Sequence, residues 1–201
     1  MAEVPWADGR PSPALVNWLN AVAPSLIRCG ARVAVVGCGL GDDVRELVQR
    51  GYDVTGFDIS ETAIAWARER HPSCADAFHV ADLFDVPPRW RRRFDLVVEI
   101  NTVESLPIDR RDDTLPAIAD LVGQRGRLLV IAHGAPTPQT AADGPPWALT
   151  SNELLAHAEH AGLKPETAPV LFDDDGVPSV LRMRAVFVHD VAPPRSATTT
   201  A

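Results

Sequence analysis

Residues 32–43 read RVAVVGCGLGDD: an apolar run passes directly into Gly37, Gly39 and Gly41, and two acids follow. A buried strand that ends in glycines brings bare main chain against a ligand, because a side chain there would fill the ligand's space. Cys38 sits in the same loop as a small residue, without the base and covalent step that a nucleophilic thiol would require. Further on, Asp58 and Asp82 each follow an apolar stretch. A carboxylate has two oxygens, so it can accept hydrogen bonds from paired hydroxyls or from an amino group. Glu99 and Asn101 follow the next apolar stretch, FDLVVEIN; Glu104 and Ser105 come in the loop beyond it, and His133 closes RLLVIAH. Of these side chains, only the imidazole of His133 is of a type that exchanges a proton near neutral pH.

The glycine spacing is GxGxG, whereas a dinucleotide loop has GxGxxG, and the position of its last glycine is Asp42 here. A pyrophosphate would meet Asp42 and Asp43 at the start of a helix, where like charges disfavour it. S-adenosylmethionine (SAM) carries a sulfonium, an ammonium and one carboxylate and no phosphate, so it avoids that conflict. Asp58 is placed to accept both ribose hydroxyls, with Ile59 beside it. Asp82 is placed for the adenine amino group, and Leu83 for a ring nitrogen through its amide and for the adenine face through its side chain.

These groups need a scaffold that delivers strand ends to one rim. Strands are expected at 33–36, in GYDVTGFDIS, at 77–80, in FDLVVEIN and in RLLVIAH, with helices at 42–50, from Ser60, and at 110–122. Strand and helix alternate with short connections, the pattern of a parallel sheet wrapped by helices. Ahead of it, Leu15, Trp18, Leu19, Val22 and Leu26 fall at helical spacing over residues 12–28 and form an amphipathic cover. Thr150-Ser-Asn-Glu153 starts a late helix with a capping box. Strands at 169–172 and 181–188 flank DDDGVPS, a hairpin turn. The Pro/Gly-rich stretch at 134–149 exceeds a plain connector and holds Trp147, which would wall the cleft.

The segments VVGCGLGDD, GYDVTGFDIS, ADLF and FDLVVEINTVESL, in this order, resemble class I SAM-dependent methyltransferases. PWADGRPSPALVNWL and PPWALTSNELLAHAEHAGL are similar to the small thiopurine/thiol methyltransferase-like group. The resemblance spans about residues 5–190. It implies a Rossmann-like α/β methyltransferase sheet, mostly parallel with an antiparallel edge strand and helices on both faces. It also implies SAM as cofactor and methyl transfer to a small molecule through S, O or N. Trp6 matches an aromatic that covers the donor, and the segment around Glu99 and Ile100 would approach the donor's methionine portion. On this reading residues 1–190 are one methyltransferase domain, with 1–30 as a helical cover and 191–201 as a disordered tail. Asn101 and Trp147 would face the substrate, and His133 and Glu104 are the candidate bases.

Composition narrows the alternatives. A net charge of -8 and a pI near 5.2 oppose nucleic acid and anionic membrane surfaces, so the arginine cluster at 89–93 reads as a solvated rim. Cys29, Cys38 and Cys74 lack metal-ligand spacing, and His71, His157, His160 and His189 form no HExxH pattern, so no metal is expected. No run approaches the roughly 18 apolar residues of a membrane span, and the start lacks an export-signal pattern; a cytoplasmic monomer or homodimer is expected. An NAD-dependent oxidoreductase is the first alternative; Asp42 and the lack of a Tyr-x-x-x-Lys pair oppose it. A non-catalytic SAM-binding protein is the second, and the donor contacts are the same in both cases.

Overall fold

The computed structural model describes residues 9–173 and 180–190. Trp6, the turn expected around 174–179 and the tail 191–201 lie outside them.

Along the chain the elements are α1 (Pro13–Ala21), α2 (Ala23–Leu26), β1 (Arg32–Val36), α3 (Asp42–Gln49), β2 (Asp53–Asp58), α4 (Glu61–Arg70) and β3 (Phe78–Val80). Then come β4 (Phe94–Ile100), α5 (Arg111–Ala119), β5 (Val122–His133), α6 (Ser151–His160), β6 (Leu163–Asp173) and β7 (Leu181–His189). The strands form one seven-stranded sheet in the order β3-β2-β1-β4-β5-β7-β6. β1 to β5 run parallel, and β7 is antiparallel to both β5 and β6. The antiparallel strand therefore stands one place in from the edge. The order reverses between β1 and β4, and in open α/β sheets the crevice at such a reversal takes the ligand.

Two cores fill the two faces. Alternating strand residues send Val33, Val35, Leu96 and Val98 to the face covered by α1, α3 and α4 through Leu15, Trp18, Val44, Leu47 and Ile64. Ala34, Val36, Val97, Leu128 and Val130 go to the other face, under Leu115 and Ile118 of α5 and Leu154 and Ala158 of α6. Burying each large apolar side chain stabilises the fold by roughly 2 kcal/mol. The N-terminal cover thus belongs to the core.

α5 ends at Ala119 rather than 122, and three further boundaries differ from expectation, each for a local reason. The first helix breaks at Val22, where φ is -118°, and restarts as the four-residue α2, because Pro24 has no N–H to continue the ladder. β5 begins at Val122 rather than 127, because Val122 pairs with Phe94 across an irregularity in the register. β6 begins at Leu163 rather than 169; its residues are almost all exposed, and Pro165 and Pro169 mask a strand that the sheet tolerates at its edge.

Candidate functional site

Above the carboxyl ends of β1, β2, β3 and β4 lies a cavity of about 500 Å³. Its floor is the expected loop: Gly37, Cys38, Gly39 and Gly41 all line it. Two of these glycines are demanded by the chain itself. A Cβ on Gly37 would come within 2.6 Å of Thr102 Oγ1, and one on Gly41 within 2.4 Å of the Phe78 ring. Both have left-handed backbone, φ 58° and 83°. Gly41 also explains the missing glycine at position 42: close packing of helix on strand is achieved one residue earlier, leaving Asp42 to begin α3.

Asp58 ends β2 and lines the cavity. Its Oδ2 accepts from Gly39 N–H at 3.0 Å and its Oδ1 from Ser60 N–H at 2.9 Å. These two bonds orient the carboxylate and leave each oxygen a further lone pair. Asp82 accepts from Phe84 N–H at 2.9 Å, which turns the chain so that Leu83 and Phe84 reach the wall. Ile59 and Phe84 are 70% and 39% exposed while lining this end, an apolar slot beside Asp82.

The two acids after the glycines are both engaged. Asp42 pairs with Arg70 at 3.4 Å and with His71 at 3.5 Å. Asp43 accepts from Ser12 N–H at 2.7 Å; burial, reinforced by Asp42 and Glu46 and opposed by that bond, pushes its carboxyl up to about 6. Burial first, then Asp58, pushes the Cys38 thiol up as well, which keeps it neutral and un-nucleophilic.

The opposite end of the cavity holds Ile100, Asn101, Thr102, Ser105 and Arg182. Asn101 adopts left-handed backbone, φ 61°, fixed by its N–H to Ile131 O at 3.0 Å and by Ser105 Oγ donating to its carbonyl at 2.6 Å. Its Oδ1 accepts from Arg182 Nη1 at 2.8 Å.

The remaining candidates do not line this cavity. Glu99 faces the other side of the sheet and is fully buried; its Oε1 accepts from Thr102 and Val103 N–H at 2.6 and 3.1 Å, and its Oε2 has no partner among the described residues. Burial, with the charge of Glu104 adding to it, pushes Glu99 up to about 8. Glu104 is also fully buried, and its carboxylate takes both the backbone N–H and Nδ1 of His133. His133 pairs across the ladder with Arg182, whose Nη1 lies 3.5 Å from its Nδ1. Trp147 gives its backbone N–H to the Glu104 carbonyl at 2.8 Å and takes Arg111 Nη2 on its own carbonyl. The 134–149 stretch is thus pinned behind β4 and β5 and contributes no wall residue; its ends are joined by Ala135 N–H to Leu149 O at 2.8 Å.

Arg111 is 1% exposed and lies 3.6 Å from Glu153; burial lowers its pKa, while Glu153 and Glu104 raise it. Sequence reasoning missed Arg111, Arg182 and the cavity residues Arg10 and Ser12. The alternation of β7, which places Arg182 beside Met183 and Ala185 of the core, was a signal that could have raised Arg182.

The walls suit some ligands better than others. Asp42, Asp43, Asp58 and Asp82 line the cavity, against Arg10 and Arg182 as its cations. A polyanion at the start of α3 would face two carboxylates, whereas a cationic nucleoside with a free diol meets acceptors and an apolar slot. Among the described residues no cluster of three or more His, Cys, Asp or Glu could hold a metal ion, and no helix is long and apolar enough to cross a membrane.

Residues 33–126 match the family model of a methyltransferase domain. Thiocyanate methyltransferase 1 of Arabidopsis thaliana is 28% identical over 131 residues, covering 64% of this chain and 56% of that protein. The chain spans 60% of the corresponding Brassica oleracea protein, again less than two thirds. Thiopurine S-methyltransferase of Acinetobacter baylyi is 24% identical over 165 residues, 72% of either chain. Among solved structures, a TehB-like SAM-dependent methyltransferase from Corynebacterium glutamicum is 25% identical, covers 88% of this chain and 85% of its own, and superposes with a TM-score of 0.64.

Proposed function

We propose that this chain is a SAM-dependent methyltransferase, transferring a methyl group from SAM to a small-molecule acceptor through sulfur, oxygen or nitrogen. The observation that carries the reading is Asp58: a carboxylate oriented by Gly39 and Ser60, open to the cavity, at the end of the strand beside the glycine loop. When bound, SAM supplies an electrophilic methyl on a sulfonium. The chain's part is orientation. Asp58 accepts the ribose hydroxyls, Asp82 and Leu83 hold the adenine edge, with Ile59 against its face, and the Gly37–Gly41 backbone leaves room for the methionine portion. Ile100 and Asn101 continue the wall to the acceptor end, where Ser105 and Arg182 meet the second substrate.

Holding two reactants in line supplies about 7 to 11 kcal/mol in favourable cases, without an acid or base. Among the described residues no imidazole lines the cavity, and His133 stands behind Arg182 with Glu104 on its Nδ1. This favours an acceptor that brings its lone pair ready, such as a thiolate or a neutral amine, and leaves His133 and Glu104 as supports for Arg182 rather than bases. Trp6 is proposed as a further cover over the donor. The relatives include a thiocyanate methyltransferase, a thiopurine S-methyltransferase and a magnesium-protoporphyrin O-methyltransferase, so more than one acceptor atom occurs among them.

Incubation with methyl-labelled SAM and a panel of thiols, phenols, carboxylates and amines tests the reading. Label recovered in one acceptor class, with S-adenosylhomocysteine (SAH) as co-product, supports it. SAM uptake without transfer to any acceptor would favour a binding protein, and displacement of SAM by NAD would favour an oxidoreductase.

A further inference from the structure

Asp43 occupies the second position of α3, where an acid needs no special role because the helix start favours negative charge. Its carboxylate nonetheless reaches across 31 residues of sequence to Ser12. Ser12 is the point at which the chain enters α1: its hydroxyl caps the helix on Leu15 N–H at 3.4 Å, and Pro13 opens the first turn. Arg10, Ser12, Pro13 and Ala14 line the cavity, and Asp43 lines it with them. Leu15, Trp18 and Leu19 anchor the rest of α1 in the core, so the helix is held by packing while its entry depends on polar contacts.

We propose that Asp43 is a positioning residue for the donor, fastening residues 10–14 across the start of α3 so that the N-terminal segment becomes a wall of the cavity. The proposal rests on the donor reading above, and it assigns Asp43 no contact with the reacting atoms. The bond joins the segment directly to the helix that continues the glycine loop, so loosening it opens one side of the donor space while Asp58 and Asp82 stay in place. The carboxylate is half-buried, with Asp42 and Glu46 of its own helix beside it, an arrangement whose cost is offset by the Ser12 amide. A purely structural acid could have stayed at the helix surface.

The test compares Asp43→Ala and Asp43→Asn with the wild-type protein by deuterium uptake at residues 12–16, SAM calorimetry and steady-state kinetics. Asp43→Ala is expected to speed exchange at the Ser12 amide and to weaken SAM binding about tenfold, the loss of one charge-assisted bond. It is expected to raise KM for SAM by a similar factor and leave kcat within about twofold. Asp43→Asn keeps an acceptor at the same reach and is expected to stay near wild type in all three. Faster exchange with unchanged SAM affinity would overturn the proposal by showing that the bond serves the fold alone; unchanged exchange would overturn it by showing that the bond fastens nothing. If Asp43→Ala does not fold, Asp43→Ser, too short to reach Ser12, takes its place. A wild-type protein that takes up no SAM would sink the functional reading and this role together, a result distinct from either of the others.

Discussion

The two sides of β4 handle their acids in opposite ways. Toward β1 and β2, Asp58 and Asp82 are held by backbone amides at the rim of a cavity and keep lone pairs turned to it. Toward β5, Glu99 and Glu104 are buried without exposure, and Glu104 and Arg111 together fix the 134–149 stretch through Trp147. An acid at a rim can recognise a ligand. An acid in a closed network can only hold its neighbours, and its charge must be matched or neutralised there.

If this division is right, substitutions on the two sides should fail in different assays. The largest effect is expected from Arg111→Met: removing a buried guanidinium takes the donor from the Trp147 carbonyl and the ion pair from Glu153, and should cost about 3 to 5 kcal/mol of stability in denaturant unfolding. SAM affinity of the folded fraction should stay within about twofold. Asp58→Ala should do the reverse, weakening SAM binding by about 1.5 to 3 kcal/mol in calorimetry through loss of hydrogen bonds to a charged acceptor, with a smaller loss of stability. Equal shifts in both assays for either variant would erase the distinction.

How far this contrast was legible in the sequence follows from what each side depends on. Asp58 and the glycine loop were readable because backbone geometry demands those types there: Gly41 must clear Phe78, and a strand-end acid beside a bare loop has few other uses. The parallel sheet was readable from its apolar strands. Glu99 was not, because its type and place at the end of β4 suit a rim acid equally well; the pleat that sends Val97 to the far face carries Glu99 with it, and the Thr102 and Val103 amides hold it there. Glu104, His133 and Trp147 sit far apart in the chain, and their union is a tertiary contact that no local spacing encodes. The contact of Arg182 with Asn101 is of the same kind, made from 81 residues away.

Smaller effects sharpen the comparison. Glu99 is raised from 4.5 to about 8 by burial, so the folded state holds its proton more tightly than the unfolded chain. The stability tied to it is therefore full below the unfolded value and is lost as pH rises through about 8. Glu99→Gln mimics the protonated form; its melting temperature should match wild type at pH 5 and exceed it at pH 9 by about 5 °C. A constant difference across that range would refute the buried, protonated acid. The least effect is expected from Asp82→Ala, whose carboxylate is exposed: a loss of about 1 kcal/mol in SAM affinity by the same calorimetry. No loss would remove Asp82 from the donor site.

A structure of the protein with SAH bound tests the central claim most directly. The account predicts both ribose hydroxyls on the Asp58 carboxylate, the adenine between Ile59 and Leu83 near Asp82, and the sulfur pointing along Ile100 toward Asn101 and Arg182. A nucleoside found away from Asp58 at saturating concentration would contradict it.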